Sequence, residues 1–128
     1  DRLIFAERLE KKEQHLARYK ISDLGLDTFN YNGHTTTSDA LWNGLPVLTK
    51  VGRSFASRVA ASILNSIDLN DLITTTEKEY KEKALYLAKN RDVLLRLKRQ
   101  LKTRNIENLF NSENYTKEIE KIYMKIVK

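Results

Sequence analysis

Apolar and polar positions in this chain follow two different rhythms. Over residues 1–75, short apolar runs are separated by polar, helix-compatible stretches; from residue 76 the pattern is helical to the end. RLIF (2–5) predicts a buried strand, EKKEQHLARYK (10–20) a short polar helix, and DLGLDT (23–28), with Leu24 and Leu26, a second strand. A short helix is expected over 36–43, ended by Gly44 and barred from continuing by Pro46, with PVLTK (46–50) as the third strand. Residues 54–67 read as a helix with Phe55, Val59, Ile63 and Ile67 on one stripe, and DLIT (71–74) as a fourth strand or an extended link. Residues 76–104 form one long helix or two joined near Asn90. The last helix, 112–128, is capped by Ser112 and carries Tyr115, Ile119, Ile122 and Ile126 as an apolar stripe.

Strands alternating with helices imply βαβ units and a parallel sheet, so the fold class is α/β. Three or four strands are few for a doubly wound sheet, which points to half of such a domain over 1–75 and a helical segment over 76–128 packed on it. In such sheets ligands sit outside the carboxyl ends of the strands, so the strand-to-helix turns are where chemistry is expected.

Composition narrows this picture. A chain of 128 residues with 41% apolar positions can bury a core as one domain. No apolar run reaches the roughly 18 residues of a membrane span. The opening DRLIFAERLE is charged, unlike a leader, and starts without Met on an expected strand, so a piece of a longer chain is expected. The lack of cysteine removes disulfide and thiolate chemistry and suits a reducing, cytoplasmic compartment. Residues 1–75 hold nine Lys/Arg and nine Asp/Glu, so the whole net charge of +6 lies in 76–128. A basic tail is compatible with nucleic acid. Its signs alternate, however, as in EKEYKEKALYLAKN, and no aromatics are interleaved for base stacking. A solvated helix face accounts for it better, and neither nucleic acid nor a membrane is expected as a partner.

Two constellations carry candidate chemistry. YNGHTTTSDALWNGLPVLT (31–49) crowds two glycines and the only proline around a short helix. Gly33 lets the loop turn, and Thr35, Thr36 and Thr37 fall at the helix start, where unpaired N–H groups and a partial charge of about +0.5 favour an anion such as phosphate. The local alternative makes Thr36 an N-cap, with Asp39 three residues later closing a capping box. No Gly-Lys-Ser/Thr follows, so this is not a P-loop. The second constellation is Lys12, His15 and Arg18. Steps of three residues place them on one arc of a helix, about 120° wide, able to grip a nucleotide or simply to face solvent.

LDTFNYNGHTTTSDALWNGLPVLT, followed by ASRVAAS and then LFNSENYTKEIEKIY, resembles the O-linked N-acetylglucosamine transferases, the tetratricopeptide-associated glycosyltransferases of GT-B fold. The resemblance runs in order over nearly the whole chain and implies the distal half of a Rossmann-like GT-B nucleotide-binding lobe. It implies that His15 lies against the uracil, with Lys12 and Arg18 on the same helix and Lys12 helping to hold the nucleotide. The turn Gly33-His34-Thr35-Thr36 then brings threonine contacts to the diphosphate and His34 near the sugar, and Asp39 binds the ribose hydroxyls. One departure is Thr37, where the family often has Gly. The family's catalytic lysine, its other lobe and any tetratricopeptide repeats would all lie upstream, and the last helix would return toward that lobe.

The resemblance therefore implies part of an inverting glycosyltransferase that takes UDP-N-acetylglucosamine and transfers the sugar to Ser or Thr of a protein acceptor. No cofactor is expected, and with no Asp-x-Asp pair, no cysteine and His15 and His34 nineteen residues apart, no metal is expected. Related transferases using GDP-fucose or UDP-glucose remain open, as does a non-catalytic helical binding module built on the basic segment.

Overall fold

A computed structural model describes residues 2–103 and 106–127 of the chain. In chain order the elements are α1 (Lys12–Ala17), β1 (Gly25–Leu26), α2 (Thr35–Trp42), β2 (Val47–Lys50), α3 (Val59–Ser66), β3 (Ile73–Thr74), α4 (Glu77–Lys89), α5 (Arg91–Thr103), α6 (Ile106–Leu109) and α7 (Ser112–Ile126). Short 3₁₀ turns occupy Arg18–Ile21, Phe55–Ser57 and Asn70–Leu72.

The three strands form a parallel sheet in the order β1-β2-β3. Gly25 pairs with Val47 and Leu26 with Leu48; Thr49 pairs with Ile73 and Lys50 with Thr74. The ladder of β1 continues beyond its two residues, since Gly25 N–H donates to the Pro46 carbonyl at 2.8 Å and Asp27 N–H to that of Leu48 at 3.0 Å. The central strand β2 buries Val47, Leu48 and Thr49 in succession, the unbroken burial expected of a parallel strand covered on both faces.

Local rules explain most of the boundaries. Gly44, at φ +79°, ends α2: its N–H donates to the Leu41 carbonyl and that of Leu45 to Ala40, the paired closure of a left-handed helix terminus. Thr76 and Glu79 cap α4 reciprocally, and hydrogen bonds from the Thr75 amide, the Thr75 hydroxyl and the Thr76 amide hold the Glu79 carboxyl below its usual range. The segment 76–103 is two helices, broken at Asn90. Leu94, Leu97 and Leu101 are the buried face of α5, at helical spacing. They join Leu41, Leu64, Leu72 and Leu87 in one core between the sheet and its helices. Each such leucine contributes about 1.5–3 kcal/mol of burial.

Four expectations change. RLIF is not a strand: residues 2–9 have no regular structure, and Leu3, Ile4 and Phe5 are exposed. A parallel strand needs a neighbour, and among the described residues no strand pairs with this run. The stretch 54–67 is not one helix. Ser54 and Ser57 cap each other around a 3₁₀ turn, α3 begins only at Val59, and its inward face is Ala60, Ala61 and Leu64. Ile67, just beyond α3, is buried, but Phe55 at the head of the expected stripe is 75% exposed. The helix over 36–43 starts one residue earlier, at Thr35. Finally, Asn111 rather than Ser112 caps α7, its side chain accepting from Asn114 N–H at 3.0 Å. The α7 stripe stays unburied, with Ile119 half-buried and Tyr115, Ile122 and Ile126 exposed.

Candidate functional site

The turn from β1 into α2 is built around Asp27, at the carboxyl end of β1. Its Oδ1 accepts from Thr28 N–H at 2.9 Å and from Gly33 N–H at 2.7 Å, and its Oδ2 from the Thr49 hydroxyl at 2.6 Å. The Asp27 carbonyl accepts from the Tyr80 hydroxyl of α4 at 2.9 Å. Burial first, and then the Asp27 carboxylate, push the Tyr80 phenol up to about 12. The loop between is closed on itself and on its neighbour: the Asn32 side-chain amide donates to the Thr28 carbonyl, and Asn32 N–H to that of Ala56, both at 2.9 Å.

The loop delivers His34 as the residue preceding α2. No side chain caps this helix start. The capping box of Thr36 with Asp39 is therefore not formed. The closing contacts run the other way, with the Thr37 hydroxyl donating to the Gly33 carbonyl at 2.7 Å and that of Ser38 to His34 at 3.3 Å. Thr37 is buried, whereas Thr35 and Thr36 are exposed, so the first turn of α2 presents its N–H groups and two hydroxyls outward. That is the electrostatics of an anion site at the carboxyl edge of a parallel sheet. Beside it is a cavity of about 230 Å³ lined by Tyr19, Asp27, Gly33, Thr36, Thr37 and Val47 among others. Larger cavities of about 500 and 670 Å³ lie away from this turn.

His34 is half-buried, stacked on Tyr31 with centroids 4.9 Å apart, edge-on to Phe55 at 6.2 Å, and with Nε2 3.4 Å from the Ala56 carbonyl oxygen. The imidazole is thus held against the mouth of the turn by aromatic faces. Of the second constellation, Lys12 and His15 are exposed on α1, and Arg18, half-buried just after it, donates to the Glu7 carbonyl. Of the three, only His15 is linked toward the turn, through Tyr19. Its ring is edge-on to His15 at 5.7 Å, and it lines the cavity. Burial, then the nearby Asp39 carboxylate, raise the Tyr19 phenol above its ordinary value. Asp39 itself is half-buried on α2.

Sequence reasoning missed Tyr19, Asp27, Thr49 and Tyr80. Tyr19 had a local signal, four residues after His15 and so on the same helical face. Asp27 has two local partners, the Thr28 and Gly33 amides, but Thr49 and Tyr80 had no local signal, because they meet Asp27 from 22 and 53 residues away. In the basic segment Lys98 bonds Asp23 at 3.1 Å, Lys117 bonds Glu113 and Lys121 bonds Glu118. Among the described residues no helix is long and apolar enough to cross a membrane, and no group of three His, Cys, Asp or Glu could hold a metal ion.

A parallel sheet with helices and an uncapped helix start at its carboxyl edge make a Rossmann-like α/β half-domain, and its likeness to a solved O-GlcNAc transferase gives it the GT-B class. Residues 1–119 match Glycosyl transferase family 41, and the chain belongs to that family. It is 35% identical over 128 residues to a probable UDP-N-acetylglucosamine–peptide N-acetylglucosaminyltransferase of Arabidopsis thaliana, a match covering 98% of this chain and 13% of that protein. It is likewise 35% identical to a UDP-N-acetylglucosamine–peptide N-acetylglucosaminyltransferase of Caenorhabditis elegans, covering 93% of this chain and 10% of that one. An O-GlcNAc transferase mutant of Thermobaculum terrenum superposes with a TM-score of 0.77 at 33% identity, covering 90% of this chain and 22% of that chain. The chain thus spans only about an eighth or less of these two curated relatives' length.

Proposed function

We propose that this segment holds the diphosphate of UDP-N-acetylglucosamine, in a cytoplasmic protein that transfers the sugar to Ser or Thr of a protein acceptor. The observation that carries the reading is the first turn of α2, uncapped, with Thr35 and Thr36 exposed and Thr36 lining the cavity. In an inverting displacement the acceptor oxygen forms its bond to the anomeric carbon as the bond to the UDP oxygen breaks. Negative charge then grows on the diphosphate. Preorganised N–H donors and the partial positive end of α2 stabilise that charge without reorganising. In this reading Thr35 and Thr36 bond the phosphates, His34 borders the sugar, and Asp39 accepts from the ribose hydroxyls. His15 lies against the base, with Lys12 and Arg18 adding positive charge. Residues 1–75 carry these contacts, and behind them α4 and α5 pack Leu87, Leu94, Leu97 and Leu101 into the core.

Asp39→Ala tests this directly. With no capping box to lose, the variant should melt close to the parent, whereas a true N-cap would lose about 0.5–2 kcal/mol. UDP affinity of the full-length enzyme should fall at least tenfold. An unchanged dissociation constant for UDP would remove the ribose role. The 128-residue chain alone should bind UDP near millimolar, equivalent to about −4 kcal/mol, and should turn over no sugar donor.

A further inference from the structure

We infer that Asp27 is the positioning residue of the donor-binding turn, a role that rests on the reading of that turn just given. Three features of the geometry carry it. First, one carboxylate ties the two ends of the loop together. Oδ1 binds the amides at both ends, Thr28 and Gly33, while Oδ2 takes the Thr49 hydroxyl. Second, Gly33 transmits that grip to the phosphate-facing residues. Its carbonyl accepts from Thr37, and its α-carbon is so closely surrounded that an added methyl would lie 2.7 Å from Thr37 Oγ1, 3.0 Å from Thr36 Oγ1 and 3.4 Å from Asp27 Oδ1. The Thr36 hydroxyl, exposed toward a ligand, is therefore registered against the same point as the carboxylate. Third, the grip is anchored in the sheet. Thr49 is fully buried on β2, and its carbonyl accepts from the buried Thr74 hydroxyl of β3 at 2.9 Å, so a hydrogen-bonded chain crosses all three strands and ends at the turn.

A carboxylate facing a diphosphate would repel it. Here both oxygens are taken up by amide and hydroxyl donors, which draw its charge into the loop and leave the N–H groups of α2 for the ligand. Asp27 thus acts through Gly33 and Thr36 rather than on the substrate.

The consequence is selective for the phosphates. In the full-length enzyme, Asp27→Ala should weaken UDP binding about tenfold or more, the scale expected when positioned groups shift by a fraction of an ångström. Uridine, which lacks the diphosphate, should bind as in the parent. Asp27→Asn retains the Oδ1 acceptor and should recover most of the UDP affinity. Thr49→Val, which removes only the anchor of Oδ2, should weaken UDP about threefold with uridine unchanged, an intermediate loss for one of the three contacts. Titrations at a temperature where circular dichroism shows each variant folded read these effects, and Thr49→Val carries the test if Asp27→Ala does not fold. Equal losses of UDP and uridine, an Asn variant no better than Ala, or UDP affinity unmoved by Thr49→Val would overturn the inference. Thr36→Val separates it from the underlying reading. If that change leaves UDP binding intact, the donor site itself is wrong; if it weakens binding while Asp27→Ala does not, only the role of Asp27 falls.

Discussion

Tyr80→Phe isolates one long-range contact and has a pH signature. The substitution removes the hydroxyl that donates to the Asp27 carbonyl at 2.9 Å, yet keeps the ring, which meets Phe29 edge-on with centroids 4.9 Å apart. A single hydrogen bond of this kind contributes about 0.5–1.5 kcal/mol net, so the midpoint of thermal unfolding should drop by about 2–6 °C near pH 8. The phenol is raised from its ordinary value near 10 to about 12, which means the fold favours its neutral, donating form. That contribution is complete below pH 10, declines as the unfolded-state phenol ionises, and is gone once the pH passes the folded value near 12. The parent should therefore lose stability between about pH 10 and 12 more steeply than the Phe variant, and the gap between them should close. Tyr19, also raised, is present in both proteins and cancels in the difference. Chemical unfolding of the pair at pH 8, 10 and 11.5 measures it. A gap that is absent at pH 8 would refute the hydrogen bond to the Asp27 carbonyl, and one that persists unchanged through the alkaline range would refute the raised phenol.

Leu64→Ala empties the centre of the core beneath α3, where the side chain is fully buried, and should cost about 2–5 kcal/mol in urea unfolding with an unchanged slope. Gly44→Ala meets no atom within 4 Å but demands φ +79°, so only the conformational cost of about 1–2 kcal/mol should appear in a melting experiment; a null effect would mean the helix end relaxes. Because helix N–H groups and the cations near α1 meet the diphosphate charge in the proposed mechanism, turnover by the full-length enzyme should survive EDTA. Loss restored by added Mn²⁺ or Mg²⁺ would count against that mechanism.

Elements governed by neighbours a few residues away were legible before any coordinates. Gly44 and Pro46 end α2 where expected, Asn90 divides α4 from α5, and the apolar run 46–50 is the central strand, because backbone permissiveness, capping and periodicity act locally. The resemblance likewise pointed to the family through ordered motifs and singled out the α2 turn. Tertiary structure decided what those rules cannot reach. Asp27 is an unremarkable acid at a strand end until Thr49, 22 residues on, and Tyr80, 53 residues on, meet its oxygens. RLIF has the composition of a strand, but among the described residues no strand pairs with it and it is irregular. Phe55, the head of an apparent stripe, lies outside because the Ser54–Ser57 box uses the backbone that a longer helix would need. Hydrophobic pattern proposes which face is buried, but only the packing of distant elements determines which faces are covered and which polar groups find partners.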